Sequence, residues 1–329
     1  MTMYRPPFNI TNAILNTSIS ISQKVERISS YQSLKRMPTL RKNNRIKSIH
    51  SSLAIEANSL SLDQVRDVID GNPVIGSENE INEVKDAYKA YQMIEEYDAF
   101  SEKDLLKAHA AIARSIDKEA GRYRSHPEGV MDGQGNVIHI APPEKMVPSL
   151  MTDLFTWLKR DKQTSLLIKS CVFHYEFVFI HPFGDGNGRV ARLWQNVLLM
   201  KWNNLFEYVP IESHIYKYQN EYYGSIEKSN KSGDSTAFIE FMLKMIDETV
   251  DEVLNSSAQE SKNISENVNR LLDVMEPDIP LSANEIMRRL NIKSKETLRG
   301  SYLNPAIENG LVKMTLPDKP KSKNQRYMR

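Results

Sequence analysis

Residues 181 to 192 read HPFGDGNGRVAR and bring together side chains that could bind and activate a phosphate compound. Pro182 disfavours a helical conformation at His181, and the helical pattern resumes at about Asn187. The glycine-rich segment between them therefore leads into a helix N-terminus, where free backbone N–H groups and the positive end of the helix dipole converge. Glycines let phosphate oxygens approach such amides closely, so we predict an anion site in this loop.

Four side chains of the same stretch could supply the rest of the chemistry. Arg189 and Arg192 lie three residues apart on one helix face and could hold further phosphates. Asp185 offers the oxygen ligands that Mg²⁺ prefers, and His181 could act as the base for a hydroxyl that attacks phosphorus. A structural interpretation also exists, because Asp-Gly and Asn-Gly are common turns. The coincidence of base, metal ligand, anion site and cations in one loop favours chemistry.

The same residues resemble the H-x-F-x-D/E-G-N-G-R-x-x-R motif of the Fic family and match it at every defined position. The resemblance covers roughly residues 103–248. It implies a helical bundle with a β-hairpin flap and an enzyme that transfers AMP from ATP to a Ser, Thr or Tyr hydroxyl of a protein, releasing pyrophosphate. Removal of AMP, or transfer of another phosphate-containing group, stays open within the family.

The resemblance implies a role for each residue of the motif. His181 would deprotonate the target hydroxyl, Asp185 would hold Mg²⁺, and Phe183 would anchor the loop in the core. The remaining residues would bind ATP: the amides of Gly186, Asn187 and Gly188 around the phosphates, Arg189 on the triphosphate, and Arg192 on the γ-phosphate.

Two further segments are assigned by the same resemblance. The flap strand would align a target segment through backbone pairing and border the nucleotide; it comprises Val137, Ile138, His139 and Ile140. The adenine side would be lined by Tyr222, Tyr223 and Asn230, although paired tyrosines on a helix also fit a core position.

The stretch SSLAIEANSL resembles the family's inhibitory motif, S/T-x-x-x-E-G/N. On a helix predicted at about residues 46–58, Ser52 and Glu56 lie four residues apart on one face. The resemblance implies that Glu56 pairs with Arg192 and takes the place of the γ-phosphate, so the enzyme would be autoinhibited. Ala57 departs from the Gly or Asn of the motif, and a solvated surface glutamate is the alternative interpretation of Glu56.

The elements that must position these residues are mostly helices, because helical periodicity dominates and long β-branched runs are few. We predict a mainly α fold. Residues 121–143 are rich in Gly and Pro and predict a β-hairpin with its turn at residues 132–135. Serines are predicted to cap several helices, namely Ser61, Ser101 and Ser282.

The chain divides into predicted regions by composition. An N-terminal helical region over residues 1–102 carries the inhibitory helix, and the catalytic domain follows over residues 103–255. The polar residues 256–262 predict a linker. Residues 263–329 show three helical segments and a basic, hairpin-like end, and they resemble a winged helix.

That C-terminal region leaves a function of another class open. A winged helix can place a helix in the DNA major groove, with a basic wing on the phosphates, but it also serves as a protein-interaction module. The chain could thus be a DNA-binding regulator in which the Fic core senses nucleotide or modifies the protein itself.

Composition narrows the class of protein. The chain of 329 residues has 43 basic and 42 acidic residues, which argues against a protein that coats nucleic acid along its whole length. It has no apolar run of about 20 residues and no recognisable signal sequence, so we expect a cytoplasmic protein without a membrane partner. The single cysteine, Cys171, lies in an apolar run and predicts a buried thiol. The sequence does not identify the target protein. Self-modification and a homodimer both stay possible.

Overall fold

The computed structural model describes residues 4–30, 38–131, 137–263, 266–320 and 322–329. It is mainly helical, which confirms the predicted fold class. Residues of the predicted hairpin turn, 132–135, lie outside the described residues. Contacts divide the chain into two compact units, one of residues 1–25 with 44–251 and one of residues 26–43 with 252–329. The helices over residues 12–30, 38–55 and 236–263 have residues in both units and are described with the first.

The first unit begins with helices that the N-terminal patterns predict. Thr11 caps the first of them, since its Oγ1 accepts from the Ile14 N–H at 3.2 Å. Ser61 forms a complete capping box with Gln64, and Ser101 accepts from the Asp104 N–H, as expected. These helices are α1 (Asn12–Ser30), α2 (Pro38–Ile55), α3 (Leu62–Asp70), α4 (Glu78–Gln92) and α5 (Glu102–Ile112).

The centre of this unit is a pair of helices, α7 (Leu166–Ile180) and α8 (Asn187–Trp202), which pack against each other. Both are buried on nearly every side, as expected for helices that form the core rather than cover it. Large side chains such as Phe173, Phe177 and Trp194 fill the space around them. The short loop of residues 181–186 that joins them is thereby fixed at both ends.

The remaining elements of the unit surround this pair. A two-stranded antiparallel hairpin of β1 (Gly129–Met131) and β2 (Val137–Ile140) lies where the flap was predicted, and Gly129 pairs with Ile140. The further helices are α6 (Val147–Arg160), α9 (Ile211–Lys217), α10 (Gln219–Ser232) and α11 (Thr236–Asn263). The residues predicted as a linker, 256–262, belong to α11, and the predicted domain limits stay a prediction.

The second unit contains its own apolar core, which includes Leu271, Ile286, Leu298 and Tyr327. Its helices are α12 (Glu266–Val274), α13 (Ala283–Leu290), α14 (Lys295–Thr297) and α15 (Asn304–Glu308), with a π-helical turn at Leu298–Leu303. Its antiparallel sheet has the order β3–β5–β4, with β3 (Leu281–Ser282), β4 (Lys313–Met314) and β5 (Arg326–Met328). The sequence patterns missed β3, which is only two residues long and precedes the capping box of Ser282.

Within the described part of the chain, none of the helices combines the length and the apolar character needed to cross a membrane.

Candidate active site

The loop between α7 and α8 is held by its own side chains. His181 ends α7 in the left-handed conformation (φ 52°), and its N–H donates to the Phe177 carbonyl at 2.9 Å. Phe183 is fully buried and stacks on His109, with ring centroids 3.6 Å apart. The Asn187 side chain accepts from the Phe183 N–H at 2.9 Å and donates to the Phe183 carbonyl at 2.8 Å. The loop therefore has one well-defined shape.

Gly186 and Gly188 bring the chain into the N-terminus of α8. Gly186 adopts φ 78°, a conformation that side-chain-bearing residues rarely take, and it has no side chain to cap the helix. A methyl group on Gly188 would overlap the carboxylate of Glu56. The carboxylate therefore lies beside the first turn of α8, at the helix N-terminus, where an anion is stabilised.

Arg192, on the first turns of α8, is 2% exposed and is bound by the end of α2. Its Nη2 donates to Glu56 Oε1 at 2.7 Å and to the Ser52 carbonyl at 2.9 Å, and its Nε donates to Ser52 Oγ at 3.0 Å. Burial alone would lower the pKa of Arg192, but the charge and hydrogen bond of Glu56 outweigh it and raise that pKa. The guanidinium group is thus permanently charged, and its Nε and Nη2 are bound by Ser52 and Glu56.

The end of α2 that carries Glu56 is a Schellman motif. The Asn58 N–H donates to the Leu53 carbonyl and the Ala57 N–H to the Ala54 carbonyl, both at 3.1 Å. This motif places Ala57 in the left-handed region, at φ 66°. Glycine or asparagine suits that conformation better than alanine. Ala57, where the inhibitory motif has Gly or Asn, is therefore a strained residue.

Arg189 is also buried, but its hydrogen bonding is incomplete. Its Nη1 lies 3.6 Å from Glu83 Oε2, an ion pair longer than a hydrogen bond. Among the described residues, its Nε and Nη1 have no hydrogen-bond partner although both atoms are buried. Asn58 Nδ2 donates to the same Glu83 oxygen at 3.2 Å. Buried donors of this kind suit an anionic ligand that would satisfy them.

His181 lies in a low-polarity environment. Burial lowers its pKa, and the nearby charges of His139 and Arg124 act in the same direction, while the Val178 carbonyl and Glu128 partly oppose them. Its Nδ1 is buried and has no partner of normal geometry among the described residues. The imidazole is therefore neutral near pH 7, the form that can accept a proton.

Asp185 is exposed, and its backbone is fixed from both sides. His109 Nε2 donates to the Asp185 carbonyl at 3.0 Å, because His109 Nδ1 accepts from the Gly121 N–H at 2.9 Å. The Asp185 N–H donates to Asp117 Oδ2 at 3.3 Å. The Asp185 carboxylate itself accepts from the Gly186 N–H at 2.5 Å.

The described residues contain no group of three His, Cys, Asp or Glu side chains that could enclose a metal ion by themselves. Mg²⁺ usually keeps several waters and binds through one or two carboxylates plus substrate phosphates. An exposed Asp185 beside an anion site fits that kind of coordination, and the phosphates of a substrate would have to complete it.

The flap and the predicted adenine side differ in the solvent exposure of their side chains. In the flap strand, His139 Nε2 lies 2.8 Å from the Phe179 carbonyl and Ile140 is 79% exposed, while only the backbone of Val137 and Ile138 is described. Tyr222 is buried, and its hydroxyl lies 2.9 Å from His174 Nε2.

The other two adenine-side candidates lie on the same helix, α10. Tyr223 is partly exposed, and Asn230 accepts from the Tyr175 hydroxyl at 2.9 Å. Tyr222 is thus a core residue behind the site, and the adenine-side role of all three stays a prediction.

A buried carboxylate network fastens α2 to the core behind Arg192. Glu212 accepts from Tyr91 at 2.6 Å, from Asn196 at 2.7 Å and from Ser48 at 2.8 Å. Burial raises the pKa of Glu212, and the hydrogen bonds from Tyr91 and Ser48 partly offset the rise. Because Ser48 is on α2 and Asn196 on α8, the network holds the two helices in register.

Sequence reasoning missed several residues that hold this site, among them His109, Arg124, Glu83 and Glu212. A signal existed for His109, a polar residue on the apolar face that Leu105, Ala108 and Ile112 form on α5. The other three carry no local pattern, because their partners are far away in the sequence.

Comparison with known proteins identifies relatives of this chain. The profile of the Fic/DOC family matches residues 99–199, and that of the "Filamentation induced by cAMP protein Fic-like, C-terminal domain" matches residues 266–328. A crystal structure of a Fic family protein from Desulfovibrio desulfuricans is 41% identical, covers 99% of this chain and 98% of its own, and has a TM-score of 0.76.

Curated relatives are more distant and longer. Protein adenylyltransferase fic-1 of Caenorhabditis elegans is 29% identical over 66% of this chain and 42% of its own length. Protein adenylyltransferase Fic of Aedes aegypti is 29% identical over 81% of this chain and 51% of its own. The chain thus spans about half the length of the curated relatives it matches.

Proposed function

Because this chain belongs to the Fic family, we propose that it is a protein adenylyltransferase that moves AMP from ATP to a Ser, Thr or Tyr hydroxyl of a protein. The observation that carries the proposal is the N-terminus of α8, where Arg189 has two buried nitrogen atoms, Nε and Nη1, without a hydrogen-bond partner among the described residues. A polyphosphate would satisfy both the amides and the buried donors. The names of the relatives, protein adenylyltransferases, support the same activity.

In the proposed reaction His181 accepts the proton of the target hydroxyl. The hydroxyl oxygen then forms a bond to the α-phosphorus, and the bond between that phosphorus and the pyrophosphate oxygen breaks. The amides of Gly186, Asn187 and Gly188 would bind phosphate oxygens, and Arg189 would neutralise the departing pyrophosphate. Such chemistry depends on position and charge more than on covalent catalysis.

Asp185 would hold a Mg²⁺ ion that, when bound, would neutralise charge on the phosphates. The Asp185 carboxylate now accepts from the Gly186 N–H, so it would have to turn outward to reach the ion. We assign no other protein ligand to the metal.

We also propose that the enzyme is inhibited by Glu56. Its carboxylate lies beside Gly188 at the start of α8 and accepts a hydrogen bond from Arg192, which would otherwise bind the γ-phosphate. ATP and Glu56 would then compete for one guanidinium group, and basal activity would be low.

Incubation with ATP labelled on the α-phosphate, followed by mass spectrometry, tests the reaction. We expect AMP on a hydroxyl residue, either of this protein or of a protein added in a lysate, with Glu56→Gly, and no label with Glu56→Gly combined with His181→Ala. Absence of label in both proteins would contradict the proposed transfer. Parallel reactions with other labelled nucleotides, and with AMP-modified product as substrate, distinguish transfer of another group and removal of AMP.

A second candidate function, DNA binding, rests on the second unit. Exposed cations lie around the α14 segment and the β4–β5 end, and none forms an ion pair with a described carboxylate; they are Lys293, Lys295, Arg299, Lys313, Lys319 and Lys323. Such a surface could neutralise DNA phosphates. The full chain should then bind duplex DNA with an affinity that falls with salt, and Lys295→Glu with Arg299→Glu should weaken it. Equal binding by this variant would contradict the candidate.

A further inference from the structure

Arg124 is a buried arginine whose guanidinium group binds backbone carbonyls. No ion pair joins it to a carboxylate in the described ranges; Glu128 and Glu144 act on it only through their charge. A buried cation normally pairs with an anion. The guanidinium group of Arg124 instead donates its hydrogen bonds to carbonyl oxygens, which indicates a role other than ion pairing.

One side of Arg124 binds the turn that carries the catalytic histidine. Its Nε donates to the His181 carbonyl at 2.7 Å, its Nη2 lies 3.5 Å from the Ile180 carbonyl, and its backbone N–H donates to the Pro182 carbonyl at 2.9 Å. The carbonyls at the end of α7 lack partners within the helix, and a positive charge is favoured there. Arg124 therefore stabilises the left-handed turn at His181.

The other side of Arg124 binds both ends of the flap. Its Nη1 donates to the His126 carbonyl at 2.8 Å, before β1, and its Nη2 donates to the Pro142 carbonyl at 2.6 Å, after β2. Between these points the Ala141 N–H donates to the Glu128 carbonyl at 3.1 Å and closes the base of the hairpin. One planar group thus joins the two ends of the flap to the turn of the catalytic histidine.

We propose that Arg124 is a positioning residue that fixes the flap to His181, so that a protein segment aligned on the flap presents its hydroxyl at a constant distance from the imidazole. This rests on the proposed adenylyl transfer. The hydrogen bonds of Arg124 described above reach none of the residues assigned to phosphate binding, so its effect should fall on the reaction of bound substrates and not on ATP affinity. Lysine cannot replace it, because an ammonium group has no planar fork that reaches all these carbonyls.

Arg124→Lys tests the proposal, with Arg122→Lys as the control because Arg122 is an exposed neighbour on the same segment. Amide hydrogen exchange of the full chain should be at least about tenfold faster in residues 129–131 and 137–140 of Arg124→Lys, and unchanged in α6. In the Glu56→Gly background, kcat for transfer should fall at least about tenfold. The ATP dissociation constant should change less than about twofold, since the contacts to phosphate are untouched.

Flap exchange in Arg124→Lys equal to that in Arg122→Lys would overturn the proposal. So would an equal kcat, or a loss confined to ATP affinity. If Arg124→Lys does not fold, NMR of the unmodified protein still tests the proposal. The Nε–H of Arg124 should exchange with solvent far more slowly than that of exposed Arg122, and equal exchange would overturn the proposal. If Glu56→Gly transfers no AMP, the proposed function fails, while hydrogen exchange still tests the link between flap and turn.

Discussion

The carboxylate of Glu56 lies in the space that a side chain on Gly188 would occupy. The glycine that would leave room for a phosphate at the start of α8 thus leaves room for a glutamate of the same chain. The ion pair with Arg192 keeps the carboxylate there. Inhibition and substrate binding would use the same atoms, so graded changes in this contact should give graded activity.

Substitutions at the contact of Glu56 and Ser52 with Arg192 should raise the rate of transfer. The increase should be larger when the substitution removes more of the interaction. Glu56→Gly removes the carboxylate and should raise transfer at least about tenfold, because a hydrogen bond between charged groups contributes about 1.5–3 kcal/mol. Glu56→Gln keeps the shape and loses the charge, so its rate should be intermediate. Ser52→Ala loses the Oγ contact but keeps the carbonyl, and should release least. Initial rates with labelled ATP measure the order; a Gln variant as inactive as the unmodified protein would contradict the role of charge.

Ala57→Gly should strengthen inhibition. The left-handed conformation at φ 66° is strained for alanine, and glycine would relieve it, which should add up to about 1 kcal/mol to the stability of the end of α2. Transfer should fall up to about fivefold, by the same free energy. Ala54→Gly is the matched control: it lies inside the helix, where glycine costs about 1 kcal/mol, and should raise transfer. Changes in the same direction for both variants would contradict the strain at position 57.

The pH dependence of transfer should reflect the lowered pKa of His181. A base is competent above its pKa, so kcat/KM of Glu56→Gly should stay level near pH 7 and fall only below the ordinary histidine value of about 6.5. His139→Gln removes a charge that lowers this pKa and should shift the fall to higher pH. A midpoint above 6.5 in the Glu56→Gly protein would contradict a buried, neutral base.

Glu176 should make the stability of the protein depend on pH. Burial raises its pKa to about 7, although a hydrogen bond from the Tyr4 hydroxyl opposes the rise. A raised pKa means that the folded protein holds this proton more tightly than the unfolded chain, so stability is lost as pH rises through about 7.

Glu176→Gln removes this titration and still accepts from Tyr4. Relative to Glu176→Gln, the unmodified protein should lose about 3 kcal/mol between pH 4.5 and pH 8, taking about 1.4 kcal/mol per pKa unit. Urea unfolding of both proteins at several pH values measures the difference. A constant difference across that range would contradict a raised pKa of Glu176 in the folded protein.

The sequence predicted those parts of the molecule that depend on local chemistry. Ser61 and Ser282 predict where their helices begin, because a capping side chain accepts a hydrogen bond from an amide three residues later. The anion-binding chemistry of residues 181–192 could be predicted for the same reason, since the amides, glycines and arginines involved lie within a few residues of one another. The pairing of Glu56 with Arg192 came from a resemblance, because no spacing rule joins positions so far apart.

The role of Arg124 could not be predicted, because it depends on tertiary contacts. Arg124 reads as one more basic residue until its carbonyl partners at His126, Pro142 and His181 come together in space. The polar residues 256–262 have the composition of a linker, yet α11 continues through them, since polar residues with good helix propensity can prolong a helix.

The left-handed residue at the end of α2 has a further consequence, for heritable variation. An alanine codon becomes a glycine codon by one nucleotide change, and at position 57 that change would alter the strength of inhibition without touching a residue assigned to ATP, the metal or the target. If the proposed activity holds, a lineage could therefore adjust its resting level in small, reversible mutational steps while the loop of residues 181–186 stays intact.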